Sequence, residues 1–131
     1  KFRPGGFTAF TGVEGAALAD WSAGAATVFG PEVDELNTIV MSRSDIEAIQ
    51  VVSRFLAERV PEQPDQRYGR VLAVVRTMLE DRSITRVDQL ASRFAMSPKT
   101  LQRLFQEYLG LGPKTLIQRY RLHDAADRLA E

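Results

Sequence analysis

Four side chains late in the sequence could do recognition chemistry. Lys99, Gln102, Arg103 and Gln106 recur at i, i+3, i+4 and i+7, so a helix would gather them into one stripe. All four are long hydrogen-bonding side chains, and none is acidic. In the major groove of B-DNA, Arg and Lys reach the O6 and N7 acceptors of guanine, and Gln pairs with the edge of adenine. The same stripe on an ordinary solvated helix would mean nothing. It gains meaning only if neighbouring elements hold it out to a partner.

The elements around it have that form. Leu101, Leu104, Phe105 and Tyr108 repeat the same spacing. They are offset by two residues, about 200° at 3.6 residues per turn, so one side of the helix is apolar and the other polar. Upstream, Val87, Leu90, Ala91 and Phe94 define a second short amphipathic helix. Ala95-Met96-Ser97-Pro98 separates the two. Ser97 can cap the second helix by accepting from an orphan backbone N–H, and Pro98 suits its first position, where no N–H is needed. Thr85 is placed to cap the first helix, and Gly110 to end the second in a left-handed conformation. The spacing predicts a helix-turn-helix over 85–110.

The remaining patterns are helical too. Val33, Leu36 and Val40, with Ile39 alongside, predict a helix over 32–41. Ser44 and Glu47 form a capping-box pair before a helix reaching about residue 59, with Ile46, Ile49, Val52 or Ser53, Phe55 and Leu56 inward. Pro61 to Asp65 reads as a loop or linker. A helix over 67–81 carries Val71, Leu72, Val75, Met78 and Leu79 as its stripe. Gly112-Pro113 opens a last helix over 113–131, with Leu116, Ile117, Tyr120 and Leu129 as packing positions. Near the start, Pro4-Gly5-Gly6 favours an irregular segment, with Phe2, Phe7 and Phe10 as packing anchors. A short helix is expected near 13–20, with Trp21 packed against it. The fold class is therefore all-α, a helical bundle with a helix-turn-helix preceded by short helices.

Composition narrows the chemistry. With 44% hydrophobic and 26% charged residues, the 131-residue chain reads as an ordinary globular domain. The net charge is zero, which looks wrong for a nucleic-acid binder until the chain is divided. Residues 1–66 hold 5 Lys/Arg against 10 Asp/Glu, and residues 67–131 hold 12 against 7. The basic half carries the helix-turn-helix, as attraction to phosphate would ask. There is no Cys and a single histidine, His123, so cysteine-ligated zinc and disulfides are excluded and a reducing, cytoplasmic setting fits. The acidic residues are dispersed, and Glu32, Asp34 and Glu35 suit a helix N-terminus. No catalytic residue, metal site or cofactor is expected. No apolar run approaches the roughly 18–20 residues of a membrane span.

From about Arg67 onward the sequence resembles the DNA-binding domain of the AraC/XylS family of bacterial transcription regulators. The residues carrying the resemblance are Leu90-Ala91, Ser97-Pro98-x-x-Leu101-x-Arg103-x-Phe105, Gly110-x-Gly112-Pro113 and Arg121-Leu122-x-x-Ala125. The resemblance implies a partial domain over 67–131, with its first helix-turn-helix at 85–110 and the central linker helix at 113–131. It further implies a second helix-turn-helix beyond 131, so the sequence reads as part of a longer protein. Residues 1–66 would be the end of an amino-terminal regulatory or interaction region. Family base-contacting positions fall on Lys99, Gln102 and Arg103, the face derived above, with Thr100 and Gln106 flanking. Ser97 and Lys114, at helix N-termini where anions are favoured, are candidate phosphate contacts. Ala95 stands where Gly is frequent in the turn, and is tolerable if its φ is negative. Arg128 stands where an apolar residue is frequent.

The implied partner is double-stranded DNA, read by a helix in the major groove. One reading unit alone should bind weakly, nearer the non-specific range of roughly 10⁻⁴–10⁻⁶ M. The competing class is a helical dimerisation or effector-sensing module, in which the acidic half makes a homodimer or takes a small-molecule effector or protein partner.

Overall fold

The computed structural model describes residues 1–19 and 22–130. Trp21 therefore lies outside the described residues. Among them all regular structure is helical: α1 (Gly6–Thr11), a 3₁₀ turn (Gly15–Leu18), α2 (Ala25–Phe29), α3 (Glu32–Met41), α4 (Asp45–Ala57), α5 (Gln66–Glu80), α6 (Val87–Arg93), α7 (Pro98–Leu109) and α8 (Pro113–Ala130). The all-α expectation is met. No helix among the described residues is long and apolar enough to cross a membrane.

Contacts group the chain into two compact units. One is Asp20–Pro64; the other joins Lys1–Ala19 to Asp65–Glu131. The chain divides next to the expected residue 66, but the first 19 residues group with the helix-turn-helix half. Gly15 lies so close to the end of α7 that a Cβ there would stand 2.5 Å from the Gly110 nitrogen. The buried Thr8 hydroxyl lies 3.4 Å from the carbonyl oxygens of Glu107 and Tyr108. Neither contact has a local sequence signature. The segment expected to be irregular contains α1, because Gly5 takes a left-handed φ of 73° just before the helix instead of interrupting it. Phe2 packs edge-on to Phe7, with ring centroids 5.4 Å apart, and beside Phe10. The helix expected near 13–20 is reduced to the 3₁₀ turn.

In the unit Asp20–Pro64, α3 packs on α2 and α4. Glu32, Asp34 and Glu35 occupy the first turn of α3, where the helix dipole favours them. The capping box at α4 is formed: the Ser44 backbone N–H and hydroxyl both donate to Glu47 Oε2, at 3.2 and 2.8 Å. The inward face of α4 differs from expectation. Ala48, Val51, Val52, Phe55 and Leu56 are half-buried, whereas Ile46 and Ile49 are 71% and 65% exposed. Within its unit α4 packs mainly on α3, so only a narrow stripe is covered, and the positions before Val51 that point away from it stay open. None of the described residues 22–64 is fully buried.

The principal core lies in the other unit. It comprises Val71, Val74, Val75 and Met78 of α5, Ile84, Leu90 and Ala91, Leu101, Leu104, Phe105 and Tyr108 of α7, and Ile117 of α8. On α5, Val74 takes the place expected for Leu79, which is exposed. The Asp65 carboxylate caps α5 by accepting from the Arg67 and Tyr68 N–H groups. On α8, Ile117 is buried and Leu116 and Tyr120 are half-buried, but Leu129 is 89% exposed. Leu129 lies about 18 Å further along the helix axis than Ile117, past the elements that α8 covers.

Candidate nucleic-acid interface

The helix-turn-helix is built from local chemistry. α6 begins differently from the prediction: Arg86, not Thr85, occupies the N-cap. The Gln89 side-chain oxygen accepts from the backbone N–H groups of both Thr85 and Arg86, at 3.0 and 2.9 Å. That arrangement satisfies the orphan donors without the Thr85 hydroxyl. α7 begins as predicted. Ser97 Oγ accepts from the Thr100 N–H at 3.0 Å, with Pro98 in the first turn. It ends at Gly110, whose φ of 71° is left-handed and whose N–H donates to the Gln106 carbonyl.

The turn between them carries strain. Ala95 has a φ of +50°, so the negative φ that would have made alanine tolerable is not adopted. The chain must reverse between α6 and α7 while the Met96 N–H returns to the Ala91 carbonyl at 3.0 Å, and the left-handed conformation closes that turn. For an alanine it costs roughly 1–2 kcal/mol. Ala95→Gly is therefore expected to raise stability by about 1 kcal/mol, after allowing for the greater unfolded-state freedom of glycine. A shift of the urea midpoint to higher concentration checks this; an unchanged or lower midpoint contradicts it.

The buried face of α7 sets the direction of the polar one. Leu101 and Phe105 are fully buried, and Leu104 and Tyr108 nearly so. Lys99, Thr100, Gln102 and Arg103 are exposed and Gln106 is half-buried. Lys99, Arg103 and Gln106 make the centre of the strip, with Thr100 on the flank towards α5 and Gln102 on the flank towards α8. The Gln102 amide lies over Gly112, where a Cβ would meet its nitrogen at 2.8 Å, so reading a base edge requires it to swing outward. Ser97 is engaged in the cap and shares a 2.8 Å hydrogen bond with the Thr100 hydroxyl. Lys114 is exposed in the first turn of α8.

Two further groups hold the strip in place, and neither was assigned from sequence. At the α5 side, Arg67 makes a two-pronged ion pair with Glu107 at 2.7 and 2.5 Å, and the Tyr108 hydroxyl donates to Asp65. Burial, then this hydrogen bond, raises the Tyr108 pKa above that of an ordinary phenol. At the α8 side, the guanidinium of Arg121 donates to the carbonyls of Ile84, Met78 and Asp81 and pairs with Asp124 at 2.6 Å. Arg121 thereby fastens the end of α5 and the loop before α6 to α8. Asp81 also binds Ser83 and pairs with Arg93; these contacts, the Ser83 hydroxyl first, push its pKa down to about 2.

A cleft of about 260 Å³ opens beside the strip, between α5 and α7, lined by Arg67, Arg70, Met96, Thr100, Arg103 and Leu104. The unit containing it carries 14 Lys/Arg against 9 Asp/Glu. Among the described residues no cluster of three or more His, Cys, Asp or Glu side chains is arranged to hold a metal.

No curated protein and no solved structure matches the chain. Residues 90–131 match a family model described as a helix-turn-helix domain. The match takes in most of α6, all of α7 and α8, and the motif residues from Leu90 to Ala125. With the capped helix pair and its exposed polar strip, the match makes residues 90–131 similar to a helix-turn-helix domain.

Proposed function

We propose that the protein is a sequence-specific transcription regulator that lays α7 in the major groove of double-stranded DNA. The observation that carries this is the division of α7 into a buried apolar face and a polar strip, exposed at Lys99 and Arg103 and half-buried at Gln106, with no acid at its centre. Arg103 reads guanine through O6 and N7. Gln102, once swung off Gly112, reads adenine, and Lys99 and Gln106 extend the contact, with Thr100 flanking it on the α5 side. Ser97 and Lys114 face the phosphates. Such a regulator works in the cytoplasm, where bacterial DNA lies.

The test is Arg103→Ala, assayed on duplexes selected from a randomised pool by the unaltered protein. Losing a bidentate guanine contact is expected to cost about 1–3 kcal/mol of base discrimination. Preference should relax at one position and persist at the others. Unchanged affinity together with unchanged preference would refute the assignment of this face.

A second reading concerns Asp20–Pro64. It holds 3 Lys/Arg against 8 Asp/Glu and leaves Ile46 and Ile49 exposed. That combination suits a dimerising or effector-binding segment better than a DNA contact. Solution mass decides it: a dimer that Ile49→Glu dissociates supports this role, and a monomer at every concentration removes the dimer.

A further inference from the structure

We infer that the cleft between α5 and α7 seats a phosphodiester of the DNA backbone, held by Arg70 with the Thr100 hydroxyl. This rests on the reading that α7 enters the major groove, and it adds a contact from a helix outside the helix-turn-helix.

Three guanidinium groups, of Arg67, Arg70 and Arg103, line one cleft. Arg67 is neutralised by its two-pronged pair with Glu107. Arg70 and Arg103 make no ion pair with any described carboxylate. Two uncompensated guanidinium groups beside Met96 and Leu104 give the cleft a positive charge, and such a charge attracts an anion.

Geometry selects the kind of anion. At 100° per residue, Thr100 lies about 60° round α7 from Arg103, on the side facing α5. When Lys99, Arg103 and Gln106 point at the base edges, this flank faces the wall of the groove, which is sugar and phosphate. In helix-turn-helix proteins the first helix of the motif, here α6, crosses the backbone; α5 packs on the recognition helix from the side of Thr100. Arg70 projects from that side, and a guanidinium is suited to phosphate oxygens. The Thr100 hydroxyl, shared with Ser97, is the second donor. Arg103 stays free for the base edge, and the phosphate beside it offsets part of its charge.

The experiment measures affinity against salt concentration by fluorescence anisotropy, on the selected duplex and on a scrambled one. It compares the unaltered protein, Arg70→Gln and Arg76→Gln. Arg76 is an exposed arginine on the same helix that does not line the cleft. Arg70→Gln is expected to weaken both duplexes by a similar factor, about fivefold, and to lower the slope of log K against log salt by about 1. Base ranking should not change, and Arg76→Gln should leave the slope unaltered. Because Arg70 is exposed, a matching thermal melt confirms that its replacement leaves the fold intact. An unchanged slope with Arg70→Gln, or an equal loss with Arg76→Gln, overturns the phosphate site while leaving the major-groove reading standing. If the unaltered protein shows no salt-dependent duplex binding, the reading itself fails, and the site with it.

Discussion

Phe105→Ala is expected to destabilise the helix-turn-helix unit by about 3–5 kcal/mol, the range for removing a buried phenylalanine. Phe105 is fully buried and is the largest side chain to be so among the described residues. It belongs to the same cluster as Val71, Val74, Val75 and Met78 of α5, Leu90 and Ala91 of α6, and Ile117 of α8. A cavity at this point cannot collapse from one side, because every wall is a helix held by another. The loss is large against the 5–15 kcal/mol that stabilises an ordinary domain. Denaturant unfolding gives the value, and Phe105→Leu supplies the comparison, since a smaller change of volume should recover most of the loss. Affinity for DNA should fall with the folded fraction and be restored by cooling the variant towards its stability maximum. A loss below about 1 kcal/mol would show that the core repacks around α7, and that the polar strip is not held by the contacts described.

Arg121→Met is expected to cost about 2–4 kcal/mol, through carbonyl groups that lose a charged donor. The side chain is 18% exposed. It is the donor joining the Met78 and Asp81 carbonyls at the end of α5 to the Ile84 carbonyl before α6. Methionine keeps the length and the packing but donates nothing. The effect should be uneven. Hydrogen exchange is expected to rise most over 79–86, while amides in the middle of α7 keep their protection until global unfolding. Arg121→Lys should rescue only part of the loss, because an ammonium cannot reproduce the fork of the guanidinium. Uniform exchange across the unit would mean that Arg121 contributes to general stability and does not fasten this junction.

These two residues also show where sequence and structure divide the explanation. Phe105 was legible because helical periodicity is a local property. Leu101, Leu104, Phe105 and Tyr108 share a face at a fixed spacing whatever the rest of the chain does. The Ser97 cap, Pro98 and the left-handed Gly110 were legible for the same reason, since each acts within one turn of its own helix. Arg121 stood in a motif that resembles a family, but its role depends on carbonyls 37 to 43 residues earlier, and no spacing rule reaches so far.

The sequence by itself determined the helical class, the position of the turn and the polarity of α7, because those follow from side-chain period and capping. Tertiary structure decided which apolar residues are used. Ile46, Ile49 and Leu129 fit their helical patterns but stay exposed, because a stripe is buried only where another element meets it. It also decided that residues 1–19 join the helix-turn-helix unit, through a backbone approach at Gly15 that any side chain would block. Ala95 took a positive φ because closing the turn outweighed its own preference. Arg70 came beside Thr100 and Arg103 only when α5 packed on α7, across 30 residues of sequence. The polar strip proposed to read bases was written in one helix, and the proposed phosphate seat beside it exists only where two helices meet.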